Sequence, residues 1–350
     1  MGEEIRLAIL GCGAITAIGH LPAAAAHPGV RVLWLIDSDL ARARSLARQF
    51  HLDCQVASDY KPVLPQVDAL INALPNHLHA PVNLEALNAG VHVLCEKPLS
   101  TASADARACC ELAEKKDVLL AVGMNRRFSA GQRLLPIALR EGSLGDLLGY
   151  DWSYGGVFDW QSASGFYFSR AQAGGGALID FAVHLLDSLI DWFGPVAHFD
   201  YQDDDWGSGI EANAILELQH SGEHGPVKGR VRVSRTYPLS NRLLIQGSKA
   251  TAEIKSDDPD SVIIQRQAGQ DKLSETLRLP DFPPTTTFYK QLDNFVESLH
   301  GRQKLISDGW QAVRVIELIE QCYAHRRRIP EPWSEYPLSE VALETEGARR

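Results

Sequence analysis

Residues 7–16 read LAILGCGAIT, and this stretch decides the fold: an apolar run ends without warning in two glycines one residue apart. The run, Ile5–Leu10, has the length of a strand, and Ile15 to about His27 has the pattern of a helix. Glycines at a strand-to-helix turn let the backbone approach a pyrophosphate, whose charge then rests on the helix N-terminus. Gly11, Gly13, Ala14 and Ile15 are therefore candidate dinucleotide contacts. The third small residue of a GxGxxG/A fingerprint would fall at position 16, where Thr16 stands. A GxG pair gains its weight from position, directly after a first strand and inside a βαβ unit. The second strand, Val30–Ile36, runs into Asp37, 26 residues after Gly11. A carboxylate there accepts hydrogen bonds from an adenosine ribose and repels a 2′-phosphate, so NAD is expected ahead of NADP. Arg42 and Arg44 leave that preference open.

Working outward, the same grammar repeats. A helix on Leu40, Ala43, Leu46, Ala47 and Phe50 follows. Val67–Ala73, Val91–Cys95 and Val118–Val122 read as further buried strands, with helices over 82–89 and 102–116 between them. Short apolar strands alternating with helices predict a parallel sheet covered on both faces. After Asn125 the pattern changes. A helix near 132–141 leads into longer alternating segments at 148–157, 214–218, 229–235 and 243–246, broken by one strongly apolar helix, Ala177–Phe193. Two helices, 287–300 and 309–326, follow. The expected architecture is an α/β Rossmann domain over residues 1–125, then an α+β domain over 126–350 that holds substrate and oligomer contacts on a mostly antiparallel sheet.

Composition narrows the function classes. A chain of 350 residues with 45% hydrophobic and 22% charged residues is long enough for two cores. A formal charge of -10 argues against nucleic acid or an anionic membrane as the main partner. The N-terminus, MGEEIRLAIL, carries acids where a signal peptide needs bases, and no apolar run approaches the ~18 residues of a membrane span. Six cysteines without CxxC spacing suggest reduced thiols, hence a cytoplasmic protein.

Two further stretches carry chemistry. ALPNHLHAP (73–81) places Pro75 and Asn76 at the C-terminal edge of a parallel strand, where open α/β sheets bind ligands. His77 and His79 lack the carboxylate or cysteine neighbours of a metal site, and a helix-start histidine facing cofactor or solvent is the expectation. VHVLCEKPLS (91–100) ends the next strand, so Glu96 and Lys97 emerge at the same edge, with Glu96 expected toward the nicotinamide ribose. In GGGALIDFAVHLLDSLIDWFG (174–194), Asp180, His184, Asp187 and Asp191 fall on one face of an otherwise apolar helix. A buried carboxylate needs a partner or a wet cavity. A cavity is expected around Asp180 and His184, and solvent around Asp187 and Asp191. A histidine there can carry a proton, and a carboxylate one turn away can orient it. Tyr154 and Tyr167, in YGGVFDW and SGFYF, are candidates for stacking on a sugar ring. Asp159, Arg127 and Arg170 read as surface charges that could also bind hydroxyls or a phosphate.

The set GCGAI, Asp37, LPNHLH, EKPLS, NRRF and GGGALIDFAVH resembles the Gfo/Idh/MocA oxidoreductase family, named from glucose-fructose oxidoreductase and inositol dehydrogenase, along almost the whole chain. The resemblance implies a Rossmann domain, a second domain with a large open-faced sheet, and NAD(P)-dependent oxidation or reduction of a carbohydrate or cyclitol hydroxyl, nucleotide-sugars included. By motif position it makes Lys97, Asp180 and His184 the catalytic set. Asn125, Arg127 and Phe128 match the family's NxRF segment, which adds Asn125 and Arg127 to the substrate-side candidates. Ala182 replaces the glycine of DxGxH. In this reading His184 exchanges the hydroxyl proton, Lys97 stabilises the developing oxyanion, Asp180 orients substrate or His184, and bound NAD+ lowers the pKa of Lys97. The same residues could serve a redox-cycling lyase or glycosidase acting through a transient 3-keto sugar, and related proteins act as non-catalytic NAD(P)-binding sensors. The resemblance also implies a homodimer or homotetramer through the open sheet face, expected to be rich in apolar residues.

Overall fold

The computed structural model describes residues 4–160, 162, 164–223, 225–268, 271–279 and 285–329. The first sheet is parallel throughout, in the order β3-β2-β1-β4-β5-β6. Its strands are β1 (Ile5–Leu10), β2 (Val30–Ile36), β3 (Gln55–Ala57), β4 (Ala69–Asn72), β5 (His92–Cys95) and β6 (Leu120–Val122). The unbroken apolar runs arise because the central strands are covered on both faces, and every residue of β4 and β6 is buried. Strand order reverses between β1 and β4, so the loops leaving those two strands and β5 open onto one crevice at the sheet's C-terminal edge.

Cover on one face comes from the far end of the chain. Leu292, Phe295 and Val296 of the helix Thr287–Leu299 share a buried cluster with Leu7, Ile9, Leu35 and Ile71. Gln291 Nε2 donates to the Val122 carbonyl at 3.0 Å, tying that helix to β6.

Among the described residues the second sheet has nine strands, in the order β14-β13-β12-β11-β7-β10-β9-β8-β15. In chain order they are β7 (Leu147–Gly155), β8 (Val196–Asp203), β9 (Asn213–Gly222), β10 (Gly225–Ser234), β11 (Arg242–Gly247), β12 (Thr251–Lys255), β13 (Asp258–Ala268), β14 (Asp271–Leu277) and β15 (Arg327–Arg328). It is antiparallel except where β7 meets β10 and β8 meets β15. One face packs on the helix Val183–Phe193: Tyr150 stacks on Phe193 with centroids 5.4 Å apart, and Trp152 on Trp192 at 5.7 Å. Each such pair adds about 0.5–1.5 kcal/mol beyond the area it buries.

The opposite face corrects the expectation of an apolar surface. It is laced with ion pairs, Arg232–Asp151, Arg230–Glu217 and Arg242–Glu253, because alternation sends the charged residues of each strand outward.

Two helices begin with a π turn, Thr16–His20 before Leu21–Ala26 and Leu178–Ala182 before Val183–Phe193. A single wide turn of this kind is frequent at functional sites, and both of these face the crevice elements described next.

Candidate active site

The crevice is built from two halves. In the first, Gly11 leaves β1 with φ +94°, and a Cβ there would meet the Ala73 carbonyl oxygen at 2.5 Å, so only glycine fits. A Cβ at Gly13, by contrast, meets nothing within 4 Å, which leaves an open cradle in front of the first-turn N–H groups of the helix. The Thr16 hydroxyl donates to the Gly11 carbonyl at 2.6 Å and is fully buried, so it fastens the loop where a fingerprint alanine or glycine would only allow close packing. Asp37 sits buried at the end of β2 and accepts from the backbone N–H of Cys12 and of Asp39, each at 2.8 Å. Arg42 also donates to it, at 3.1 Å and 3.2 Å. The open cradle, the helix start and a carboxylate at the β2 edge fit a dinucleotide, whose pyrophosphate would rest on Gly13, Ala14 and Ile15.

At the end of β5, Glu96 and Lys97 part company. Glu96 is turned inward: its Oε1 lies 2.7 Å from His20 Nε2 and its Oε2 accepts from the Lys97 backbone N–H at 3.1 Å. Burial alone would raise its pKa, but His20 and Lys97 outweigh burial and lower it. The carboxylate expected toward a ribose is therefore held by a histidine of the π turn. Lys97 points across the crevice, before a cis bond to Pro98. Its Nζ donates to Asp180 Oδ1 at 2.8 Å and to the Asp180 carbonyl at 3.1 Å, joining β5 to the π turn of the second domain.

Asp180 is shared. Its other oxygen accepts from Arg235 Nη2 at 2.8 Å, so one buried carboxylate lies between two cations. Against the penalty of burial, Lys97 and Arg235 hold its pKa below the ordinary 3.8. Burial pulls the Lys97 pKa down, but Asp180, Tyr167 and Glu96 together bring it above 10.5. One turn on, His184 is 9% exposed and its Nδ1 is buried without a partner. Burial first, then the positive charges of Arg126 and Lys97, push its pKa well below 6.5, so the ring is neutral and able to accept a proton.

Aromatic rings wall this pocket. Tyr154 meets Phe181 edge-on at 5.3 Å, Phe158 packs between Tyr167 and Phe181, and burial pushes the Tyr167 phenol up to about 12. Asn125 opens the short 3-10 turn Asn125–Phe128, and its side chain has no protein partner among the described residues.

Several candidates lie elsewhere than the sequence suggested. Arg127 is turned away from the pocket into a buried pair with Asp187, 2.5 Å and 2.9 Å, and reaches Asp191 at 3.0 Å. Asp187, expected to be solvated, is 2% exposed because the guanidinium replaces its water. His79 is fully buried, its ring nitrogens 2.6 Å from the Pro98 carbonyl and 2.7 Å from the Leu74 carbonyl, with no capacity left for a ligand. Asn76 spends its amide on the Ala173 carbonyl at 2.8 Å, across to the second domain. Arg170 lies over Tyr323 and donates to the Gly174 carbonyl.

Comparison with known proteins fits this arrangement. Residues 5–124 match the family model described as oxidoreductase family, NAD-binding Rossmann fold, and residues 138–328 match its C-terminal alpha/beta domain. A levoglucosan dehydrogenase of Pseudarthrobacter phenanthrenivorans is 31% identical over 151 residues, 41% of this chain and 38% of that protein. Over that relative the chain thus spans well under half the length. A dTDP-3,4-didehydro-2,6-dideoxy-alpha-D-glucose 3-reductase of Streptomyces antibioticus is 30% identical over 345 residues, 93% of this chain and 98% of that protein. A solved levoglucosan dehydrogenase, in complex with NADH and levoglucosan, superposes with a TM-score of 0.82 over 92% of this chain and 97% of that one, at 19% identity, a likeness of fold. With both of its domains matched, and a NAD(P)-binding Rossmann crevice facing the Lys97–Asp180–His184 constellation, the chain belongs to the Gfo/Idh/MocA oxidoreductase family.

Proposed function

We propose that this chain is an NAD-dependent dehydrogenase or reductase that interconverts a secondary hydroxyl and a ketone on a sugar, cyclitol or nucleotide-sugar. The observation that carries the reading is the 2.8 Å contact of Lys97 with Asp180, which brings the end of β5 to within one helical turn of a neutral, unpartnered His184. A bound dinucleotide supplies a hydride acceptor or donor. The chain's own residues manage the oxygen and its proton. His184 takes the hydroxyl proton, or returns it in reduction. Lys97 donates a hydrogen bond to the same oxygen and stabilises its negative charge, a contribution of about 3–4 kcal/mol to the barrier for a well-placed donor. Asp180 fixes the ammonium and Arg235 rather than the imidazole. Asp37 supports NAD over NADP, because a 2′-phosphate would meet a carboxylate that two backbone N–H groups already hold in place.

The two enzymes that it resembles act, by name, on levoglucosan and on a dTDP-linked keto sugar, which supports the substrate class. We also propose a homodimer or homotetramer that pairs through the charged open face of the second sheet. A cytoplasmic location suits six cysteines that all stand as free thiols.

The test is a turnover screen of sugars, inositols and nucleotide-sugars with NAD+ and NADH, run beside Lys97→Ala. The variant is expected to bind the dinucleotide normally, by quenching of protein fluorescence, and to turn over about 10²-fold more slowly. Near-normal turnover in Lys97→Ala would sink the assignment. Substrate consumption at constant NADH would indicate the lyase reading instead.

A further inference from the structure

The substrate pocket carries more positive charge than the hydride-transfer chemistry uses. Lys97 and Arg235 share the single carboxylate of Asp180, so that group of three keeps one positive charge. Glu96, the other nearby acid, is turned away to His20. A third cation, Arg126, lies with its guanidinium 4.1 Å over the face of Tyr154. No carboxylate pairs with Arg126 among the described residues, and its charge acts on His184.

The local backbone explains why Arg126 faces this way. Asn125–Phe128 is a 3-10 turn, in which successive side chains diverge by about 120°. Arg127 points inward and is consumed by Asp187. Its neighbour is thereby sent to the aromatic side, over Tyr154, which is itself in edge contact with Phe181. A guanidinium held over a ring face still has N–H donors for a second partner, and that fork matches a carboxylate or phosphate. Arg235 adds to the same field: its guanidinium lies 5.0 Å from the Phe158 ring, 5.8 Å from Phe181 and 5.9 Å from Tyr167, and its Nε is buried without a hydrogen-bond partner. A neutral polyol would leave these charges uncompensated among aromatic walls.

We infer that the substrate carries an anionic substituent, a carboxylate or a phosphate, and that Arg126 is the specificity-determining residue that binds it. The inference rests on the pocket assignment of the proposed function, whose substrate class it sharpens to sugar acids or phosphorylated sugars.

The test measures binding and turnover separately. Calorimetric titration of the full chain with NADH present compares D-glucose with D-glucuronate and with D-glucose 1-phosphate. At least one anion is expected to bind 10- to 100-fold more tightly than glucose, the range of a charge-assisted bidentate contact. In Arg126→Met that ratio is expected to fall to about one, and Arg126→Lys to recover part of it. A larger gain for glucuronate identifies a carboxylate as the group, and a larger gain for the phosphate identifies a phosphoryl. The inference is overturned if neither anion binds better than glucose, or if Arg126→Met weakens glucose and the anions equally. Turnover of neutral sugars without anion preference would refute the inference and keep the oxidoreductase reading. Anion preference without hydride transfer on any sugar would do the reverse.

Discussion

Replacing Asp180 by Asn removes one negative charge from between two cations, the buried Arg235 and the half-buried Lys97, and changes little else in shape. Both partners sit 2.8 Å from the carboxylate oxygens, and the carboxylate side chain is 8% exposed. At about 3 Å and an effective dielectric of about 20, each pair attracts by ~5 kcal/mol before desolvation is subtracted. Breaking a buried pair by removing one partner costs about 3–5 kcal/mol, because the remaining charges stay buried and uncompensated. The Asn amide also presents donors to the donors of Arg235 or Lys97. Urea unfolding at pH 7 is the assay, with the loss expected in that range. The pH dependence adds a second check. The folded-state pKa of Asp180 lies below its ordinary 3.8, so its contribution is complete above that value and is lost as pH falls through the lowered one. The gap between wild type and Asp180→Asn should therefore narrow in strong acid. A variant within about 0.5 kcal/mol of wild type at pH 7 would show that the three groups are not coupled as described.

Gly13→Ala is expected to leave the urea midpoint nearly unchanged, since its Cβ meets nothing within 4 Å, while weakening dinucleotide binding by placing a methyl group in the cradle; equal affinity by fluorescence titration would count against that cradle. For the oxidation direction, His184 with its lowered pKa should be fully neutral at and above pH 6.5, so turnover that depends on it should show no histidine limb between pH 6.5 and 8. A rate that climbs tenfold per pH unit across that window would contradict the buried, neutral ring.

Much of the nucleotide end was legible because its signals are local. Short apolar strands, a glycine turn and a strand-end aspartate each report on their own neighbourhood, and β1, β2 and β5 appear where the pattern puts them. What escaped the sequence depends on distant partners. NRRF presents two adjacent arginines, and nothing local says that Arg127 is claimed by Asp187, 60 residues away. His79 read as a ligand-facing helix start because the carbonyls that enclose it belong to two separate loops. The outermost strand, β14, is exposed along nearly its whole length, and β13 buries only Val262 and Ile264 on one face, so hydrophobic periodicity had little to detect at that edge. Arg235 was within reach. Val231 and Val233 point to the core face of β10, and the period of two carries the next odd position, 235, to the same side. The two π turns shift the helical phase, which hides His20 from any 3.6-residue reading.

The helix Thr287–Leu299 gives the cofactor domain an unusual place in time as well as in space. Its Leu292, Phe295 and Val296 close the cluster around Leu7 and Ile9, and its Phe288 lies edge-on to His20 at 5.1 Å, behind the Glu96 carboxylate. During synthesis at about 5–20 residues per second, some 10–30 s separate the appearance of β6 from that of the helix that covers it. Throughout that interval the nascent first sheet has one apolar face without its final cover. Strands β7 to β14 of the second sheet are made before the helix that covers the first, so maturation of the dinucleotide crevice is expected to be a late event. A ribosome-stalled chain ending before residue 287 should accordingly be sensitive to protease within β1–β6.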